Sequence, residues 1–225
     1  MRLIRLAALA VAAILSIAAK PAPRDWVATV SVTASGSHLQ GNPDADVKLA
    51  EYVSYTCPHC ANFQKEASAP LQLSYVRTGK VSVEVRHLVR DPVDLTVAML
   101  TNCGEPSRFL RLHNAFLVGQ DKWIKPMETA SSVQQRRWTT GDNATRLRAI
   151  AADFGFYAIM ERYGYQRAQI DRCLADTAMM RRIVGQTVEA QRLGVRGTPS
   201  FFIDGTLLTD TFDWPALDSN LKSRI

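Results

Sequence analysis

The feature that most limits the fold is a change of texture part-way along the chain. Strand patterning occupies both ends, while the stretch between about Asp91 and Gly185 carries helical spacing. Near the start, residues 26–32 are β-rich and read as an edge strand. Residues 47–55 read as a central strand, apolar and aromatic except at Glu51. A helix is expected from Pro58 to about Val76, with Phe63, Ala67 and Leu71 on one face and Pro70 interrupting it. Residues 81–89 alternate as a second strand. After the helical block come a strand at 200–203, an Asp204-Gly205 turn, a partner strand at 206–211 and a closing helix at 215–223. This order predicts an α/β sheet domain interrupted by a helical insertion. The expected parts are residues 25–90, an insertion over 91–185, and the remainder over 186–225.

The chain has 225 residues, of which 47% are hydrophobic and 21% charged. A core of that size folds without disulfide staples, so the four cysteines need another explanation. Arg2 and Arg5 precede an unbroken apolar run over residues 6–15, followed by the small-x-small triplet Ser16-Ile17-Ala18. Residues 1–18 are therefore expected to be a cleaved export signal. Export is expected to place the mature chain in an oxidising compartment where disulfides persist. The net charge of +6 falls to +4 without Arg2 and Arg5. The remaining cations are mixed with acids, a solvated surface with no stripe for nucleic acid.

Cys57-Pro58-His59-Cys60 sits where the central strand gives way to a helix start. Three neighbours are expected to stabilise a Cys57 thiolate. They are the positive end of the helix, His59 as a donor and a charge, and the Cys60 S–H. A stabilised thiolate makes the reduced form comparatively stable, so the disulfide tends to pass itself on. Cys57 is expected to be the exposed attacking thiol and Cys60 the buried resolving one. A zinc knuckle would need a second close pair, and Cys103 and Cys173 stand alone. A c-type haem site would need His directly after Cys60, where Ala61 stands. No cofactor or metal is expected beyond the redox-active pair, although capture of a soft metal by two thiolates and His59 is an alternative.

The run from Glu51 to Cys60, Glu-Tyr-Val-Ser-Tyr-Thr-Cys-Pro-His-Cys, resembles the active-site strand and helix start of the DsbA family of thiol–disulfide oxidoreductases. Gly194-Val195-Arg196-Gly197-Thr198-Pro199-Ser200 resembles that family's cis-proline loop. The resemblance implies a thioredoxin-like fold with an inserted helical domain. It implies oxidation of cysteine pairs in newly exported, unfolded or reduced proteins in the periplasm of a Gram-negative bacterium, reoxidation by a DsbB-type membrane quinone-linked partner, and a monomer. It assigns Cys57, Cys60, His59, Pro58 and Glu51 to catalysis, with Glu51 as a buried acid moving protons around Cys60. It assigns Thr198 and Pro199 to substrate binding. Thr198 is a departure, because the best-known members have an apolar residue there. Threonine is usual in isomerases of the DsbC and DsbG type, whose N-terminal dimerisation domain has no room here. An isomerase, or a chaperone-like binding module with secondary redox activity, remains the alternative to an oxidase.

Some relatives in that family carry a second disulfide in the helical region, and the resemblance makes Cys103 and Cys173 its candidate pair. His38, His87 and His113 are isolated in sequence and read as surface or satisfied core histidines. Phe109, Leu112, Phe116, Gln120 and Trp123 read as one helix face turned to the core. Asn143, after the Gly141-Asp142 break, is expected to cap the next helix.

Overall fold

The computed structural model describes residues 24–225, so the signal reading at residues 1–18 lies outside the described residues. Six strands form one sheet: β1 (Val30–Val32), β2 (His38–Gln40), β3 (Val47–Val53), β4 (Val81–His87), β5 (Ser200–Ile203) and β6 (Thr206–Leu207). Their order is β1-β2-β4-β3-β5-β6. β3 pairs parallel with β4, while its other neighbour, β5, is antiparallel. β3 is thus central and buried on both faces, which explains its nearly unbroken apolar run. The exposed Lys48 lies near the strand's start.

Helix α1 (Pro58–Pro70) connects β3 to β4. Pro58 takes the first helical position, where its missing N–H costs nothing. At Pro70 the α-helix gives way to a π turn (Leu71–Tyr75) and a 3-10 turn (Val76–Thr78). Gly79 ends this run at φ 77°, and a Cβ there would meet Trp26 Nε1 at 2.6 Å. The insertion comprises α2 (Pro92–Thr101), α3 (Phe109–Val118), α4 (Gln120–Trp123), α5 (Pro126–Thr129), α6 (Ser132–Thr139), α7 (Asn143–Asp153), α8 (Phe156–Arg162) and α9 (Arg167–Leu174). Helix α10 (Thr177–Arg192) returns the chain to the sheet, and α11 (Trp214–Lys222) closes it.

One apolar layer lies between the sheet and α1 with α11, built on Leu49, Phe63, Val83, Phe201 and Leu217. The other sheet face packs Ala50, Tyr52 and Phe202 against Ala190 of α10 and Val195. The third and largest cluster fills the insertion and includes Cys57 and Cys60. The sheet corner that carries Cys57 and Cys60 is therefore continuous with the core of the inserted domain.

Several local expectations shift. Only Val30–Val32 of residues 26–32 is strand. Asp25 Oδ1 accepts the backbone N–H of Val27 and Ala28 and folds the start of that segment into a turn. β2 was not anticipated. The 109–123 stripe is broken at Gly119 into α3 and α4, yet Phe109, Leu112, Phe116, Gln120 and Trp123 are all buried. The cap of α7 is Asp142, whose side chain accepts from Thr145 N, and Asn143 is the first helical residue. The boundary placed at 185 falls inside α10. Gly185 costs a helix interior ~1 kcal/mol, which packing of Ile183, Gln186 and Ala190 offsets. Among the described residues no helix is long and apolar enough to cross a membrane.

Candidate active site

Cys57 is the N-cap of α1, extended at φ −89°, ψ 119°, with Pro58 behind it. Its sulfur therefore lies at the positive end of the helix, although it closes no cap hydrogen bond to the first turn. The Cys57 thiol is drawn down from 9.0 to about 4, first by the Cys60 thiol as donor, against burial, and then by Thr198 and the backbone N–H groups of Cys60 and His59. Cys60 is pushed well above its ordinary value, chiefly by burial and then by the Cys57 anion beside it. Both thiols are unbridged. The pair thus divides into one sulfur held as an anion and one held as a proton donor.

Two expectations about this pair need correction. Cys57 is only 3% exposed, compared with 0% for Cys60. The Thr198 loop covers it, with Cys57 Sγ–H donating to the Thr198 carbonyl at 3.1 Å. The backbone N–H of His59 favours the Cys57 anion without closing a cap hydrogen bond to it, while the residue lies exposed along with Pro58.

The Thr198–Pro199 peptide is cis. Pro199 is buried, and Ser200 beyond it opens β5 beside Tyr52 of β3. Thr198 lowers the Cys57 thiol through its side chain, yet Oγ1 is buried with no partner at hydrogen-bonding geometry. A thiolate no longer donates to the Thr198 carbonyl, and the Thr198 hydroxyl can then turn its proton to the anion.

Glu51 is 3% exposed, with Oε1 unpartnered. Burial raises its carboxyl from 4.5 to about 8, so it is a protonated acid at neutral pH. Its charged form would raise Cys60 further, so the two protons are coupled. A cavity of about 30 Å³ lies against Glu51, lined also by His113, Gln40, Gln64 and Gln72. That volume is room for about two waters, bounded on its other walls by the apolar Phe63, Leu71, Val83, Val85 and Leu110.

The helical insertion holds the segment before Cys57. Gln120 Nε2 donates to the carbonyls of Tyr55 (2.6 Å) and Cys57 (3.0 Å). Thr56 Oγ1 donates to Asp91 Oδ2 at 2.6 Å, while Asp91 Oδ1 caps α2. Tyr55 Oη contacts Thr101 Oγ1 at 3.0 Å and His113 Nδ1 at 2.9 Å. Sequence reasoning missed Gln120 and Asp91 as site residues. Gln120 at an otherwise apolar helix position was the one available signal. The three histidines, isolated in sequence, meet around Phe109. Burial holds His38 down at about 4 and both His87 and His113 at about 3, so all are neutral. Farther away, Cys103 and Cys173 form a disulfide with Cα atoms 5.6 Å apart, tying α2's exit to α9. Among the described residues, no group of three or more His, Cys, Asp and Glu is placed to hold a metal ion.

A thiol pair at a strand-to-helix junction, faced by a cis-proline loop, can exchange disulfides with an extended chain. The thioredoxin family model matches residues 33–223. The chain belongs to the thioredoxin family. It has the thioredoxin-like fold with helices inserted between β4 and β5. A protein-disulfide isomerase of known structure from Novosphingobium aromaticivorans is 48% identical, with a TM-score of 0.81 over 84% of this chain and 97% of that one. A protein-disulfide oxidoreductase of Rickettsia conorii is 29% identical over 167 residues, 73% of this chain and 52% of that protein. The chain thus spans about half the length of the curated relatives it matches. Alpha-DsbA1 of Wolbachia pipientis shares the fold, with a TM-score of 0.63 at 22% identity over 85% of this chain and 92% of that one.

Proposed function

We propose that this protein is a thiol:disulfide oxidoreductase that donates the Cys57–Cys60 disulfide to newly exported proteins. The observation that carries this reading is the placement of the unbridged Cys57 and Cys60 thiols at the start of α1, with Cys57 Sγ 3.1 Å from the carbonyl of the cis Thr198–Pro199 loop; the opposite displacement of the two thiols, Cys57 down and Cys60 up, supports it. A substrate thiolate attacks Cys57 Sγ, the Cys57–Cys60 bond breaks, and Cys60 leaves with the electron pair. Glu51, protonated at neutral pH, is the nearby acid that supplies Cys60 with a proton. The substrate's second thiolate then attacks the mixed disulfide, and Cys57 departs as a stable thiolate. Two substrate thiols are oxidised and the enzyme pair is reduced. The low Cys57 pKa favours this direction because it stabilises the reduced product.

Export by residues 1–18, a periplasmic location and reoxidation by a DsbB-type membrane partner complete the proposal. The test is the equilibrium of the Cys57–Cys60 pair with glutathione, together with refolding of a reduced substrate. A potential as reducing as thioredoxin's, or no oxidation of substrate thiols, overturns it. Thr198 and the name of the Novosphingobium relative favour a second reading, disulfide isomerisation. Recovery of a scrambled substrate faster than of a reduced one would select it.

A further inference from the structure

Gln120 is a buried amide, 5% exposed, on an insertion helix whose Trp123 belongs to the apolar core. Its Nε2 carries two protons and both are used. One goes to the Tyr55 carbonyl at 2.6 Å and the other to the Cys57 carbonyl at 3.0 Å. These acceptors lie in the catalytic turn, residues 54–57, through which β3 passes into α1. Pro58 has no N–H, so the Cys57–Pro58 peptide offers a single polar handle, the Cys57 carbonyl. Two donors hold it: Gln120 Nε2 and the Ala61 N–H at 3.2 Å, the first rung of α1. The direction of that carbonyl sets ψ of Cys57, which is 119°. The Cys57 N–H is bonded in turn to the Ser54 carbonyl at 3.3 Å, so both backbone dihedrals of Cys57 are pinned. Rotation about Cα–Cβ alone remains, and it ends with Sγ 3.1 Å from the Thr198 carbonyl. The reach of Gln120 comes from the break between α3 and α4. A Cβ at Gly119 would lie 2.8 Å from the Ala115 carbonyl oxygen, so a side chain there would force the break open. Trp123 Nε1 donates to the Phe116 carbonyl at 2.8 Å and locks α4 onto the end of α3. The amide is uncharged and does not titrate, so its grip does not change with pH.

We propose that Gln120 is a positioning residue for the attacked sulfur: bonded to the carbonyls of Tyr55 and Cys57, its amide fixes the Cys57–Pro58 peptide and so holds Cys57 Sγ against the Thr198–Pro199 loop. The inference rests on the exchange reading given above. When a substrate thiolate attacks Cys57 Sγ, the new S–S bond forms there, the Cys57–Cys60 bond breaks, and the electron pair goes to Cys60 Sγ. Attack runs along the line of the breaking bond, so the incoming chain on the Thr198–Pro199 loop must find Cys57 Sγ in one place. A sulfur free to swing with its peptide would lose that alignment, and rate falls steeply with misplacement. Gln120 and Cys57 belong to different parts of the chain, so the insertion supplies the alignment from across the domain seam.

The test compares the full-length wild type with Gln120→Met, which keeps the length of the side chain and loses both donors. Two readings are taken. One is stopped-flow reduction of the oxidised Cys57–Cys60 pair by dithiothreitol; the other is the Cys57 thiolate midpoint of the reduced pair, followed by absorbance at 240 nm against pH. The second-order rate is expected to fall about tenfold, the effect of a reacting sulfur displaced by a fraction of an ångström. The midpoint is expected to rise by about one unit as the sulfur leaves the positive end of the helix. Tyr165→Phe controls for loosening, because it removes the bond from Tyr165 Oη to the Cys103 carbonyl inside the insertion. It should lower the urea midpoint and leave both readings at wild-type values. Either reading unmoved in Gln120→Met overturns the inference, a rate within about twofold counting as unmoved. An equal shift in Tyr165→Phe overturns it too. If Gln120→Met does not fold, Gln120→Asn, whose amide stops one methylene short of the carbonyls, decides by the same readings. Failure of the wild-type protein to exchange with dithiothreitol at all is a separate result, and it refutes the oxidoreductase reading itself.

Discussion

Replacing Cys57 by Ser in the reduced protein should cost stability at pH 7 and almost none at pH 4. In the folded, reduced chain the Cys57 thiol is drawn down from 9.0 to about 4, so it is a thiolate at neutral pH. Unfolded, it returns to its ordinary value and binds a proton. A group whose folded pKa is depressed contributes fully above its unfolded pKa and loses the contribution as pH falls through the folded one. The window therefore runs from about pH 9 down to about pH 4. Each unit within it is ~1.4 kcal/mol, and pH 7 lies three units above the lower edge, a ceiling of ~4 kcal/mol. The sulfur is nearly covered but flanked by exposed Pro58 and His59, and solvent screening reduces the figure to ~2–3 kcal/mol. Serine carries no charge at either pH. The assay is urea unfolding of wild type and Cys57→Ser at pH 7 and pH 4. The wild-type pair is reduced and the Cys103–Cys173 bond intact, as checked by mass after alkylation. Equal m-values license comparison of midpoints. A stability gap of the same size at both pH values would refute the thiolate argument, as would a 240 nm titration centred near pH 9.

Thr198→Val removes the hydroxyl facing Cys57 while keeping the shape of the side chain. The thiolate midpoint should rise by about one unit and the pair should become less oxidising, read by the same titration and by glutathione equilibrium. Glu51→Gln should stabilise the fold by ~2–3 kcal/mol at pH 7, because a carboxyl raised from 4.5 to about 8 is penalised increasingly between those values. The gain should vanish below pH 4.5, while substrate oxidation slows; equal unfolding midpoints at pH 4 and 7 would contradict it. Changing Cys103 and Cys173 together to Ala opens a loop of 70 residues and should lower stability by ~4 kcal/mol in the chain-entropy picture, measured by denaturant unfolding. The buried histidines, at 6.5 when unfolded and about 3 to 4 when folded, leave the unfolded chain binding more protons below pH 6.5. Stability should therefore fall as pH drops from 6.5 toward 4, and a melting temperature flat over that range would count against their burial.

The parts of this molecule that were legible in its sequence are those whose signals are local. β3 announces itself because a strand buried on both faces must be apolar along its length, and Glu51 stands out against that run. Pro58 marks a helix start by its ring geometry, and Asp204-Gly205 marks a turn by its preference for positive φ, observed at 51° and 79°. β2 escaped because three residues are too few to show a period. The cap of α7 was misplaced by one residue because Asp142 and Asn143 have the same capping chemistry, and only tertiary geometry selects between them. Gln120, Asp91 and Asp94 reach the catalytic turn from 35 or more positions away. Nothing next to them in sequence records that reach. The same holds for His38, His87 and His113, which come together only once β2, β4 and α3 have packed.

The bond between Cys103 and Cys173 has a consequence for the life of each new copy. It staples α9 to the end of α2, the helix whose first turn holds Asp91 and Asp94 against the catalytic turn. A chain fresh from synthesis has four thiols and no disulfide, and it must first receive this bond from an oxidant outside itself. Under the proposed function, each molecule is thus a client of disulfide chemistry before it becomes a donor. On that reading, the first molecules to mature depend on another oxidant, or on older copies of themselves, to finish the frame that holds their own sulfur in place.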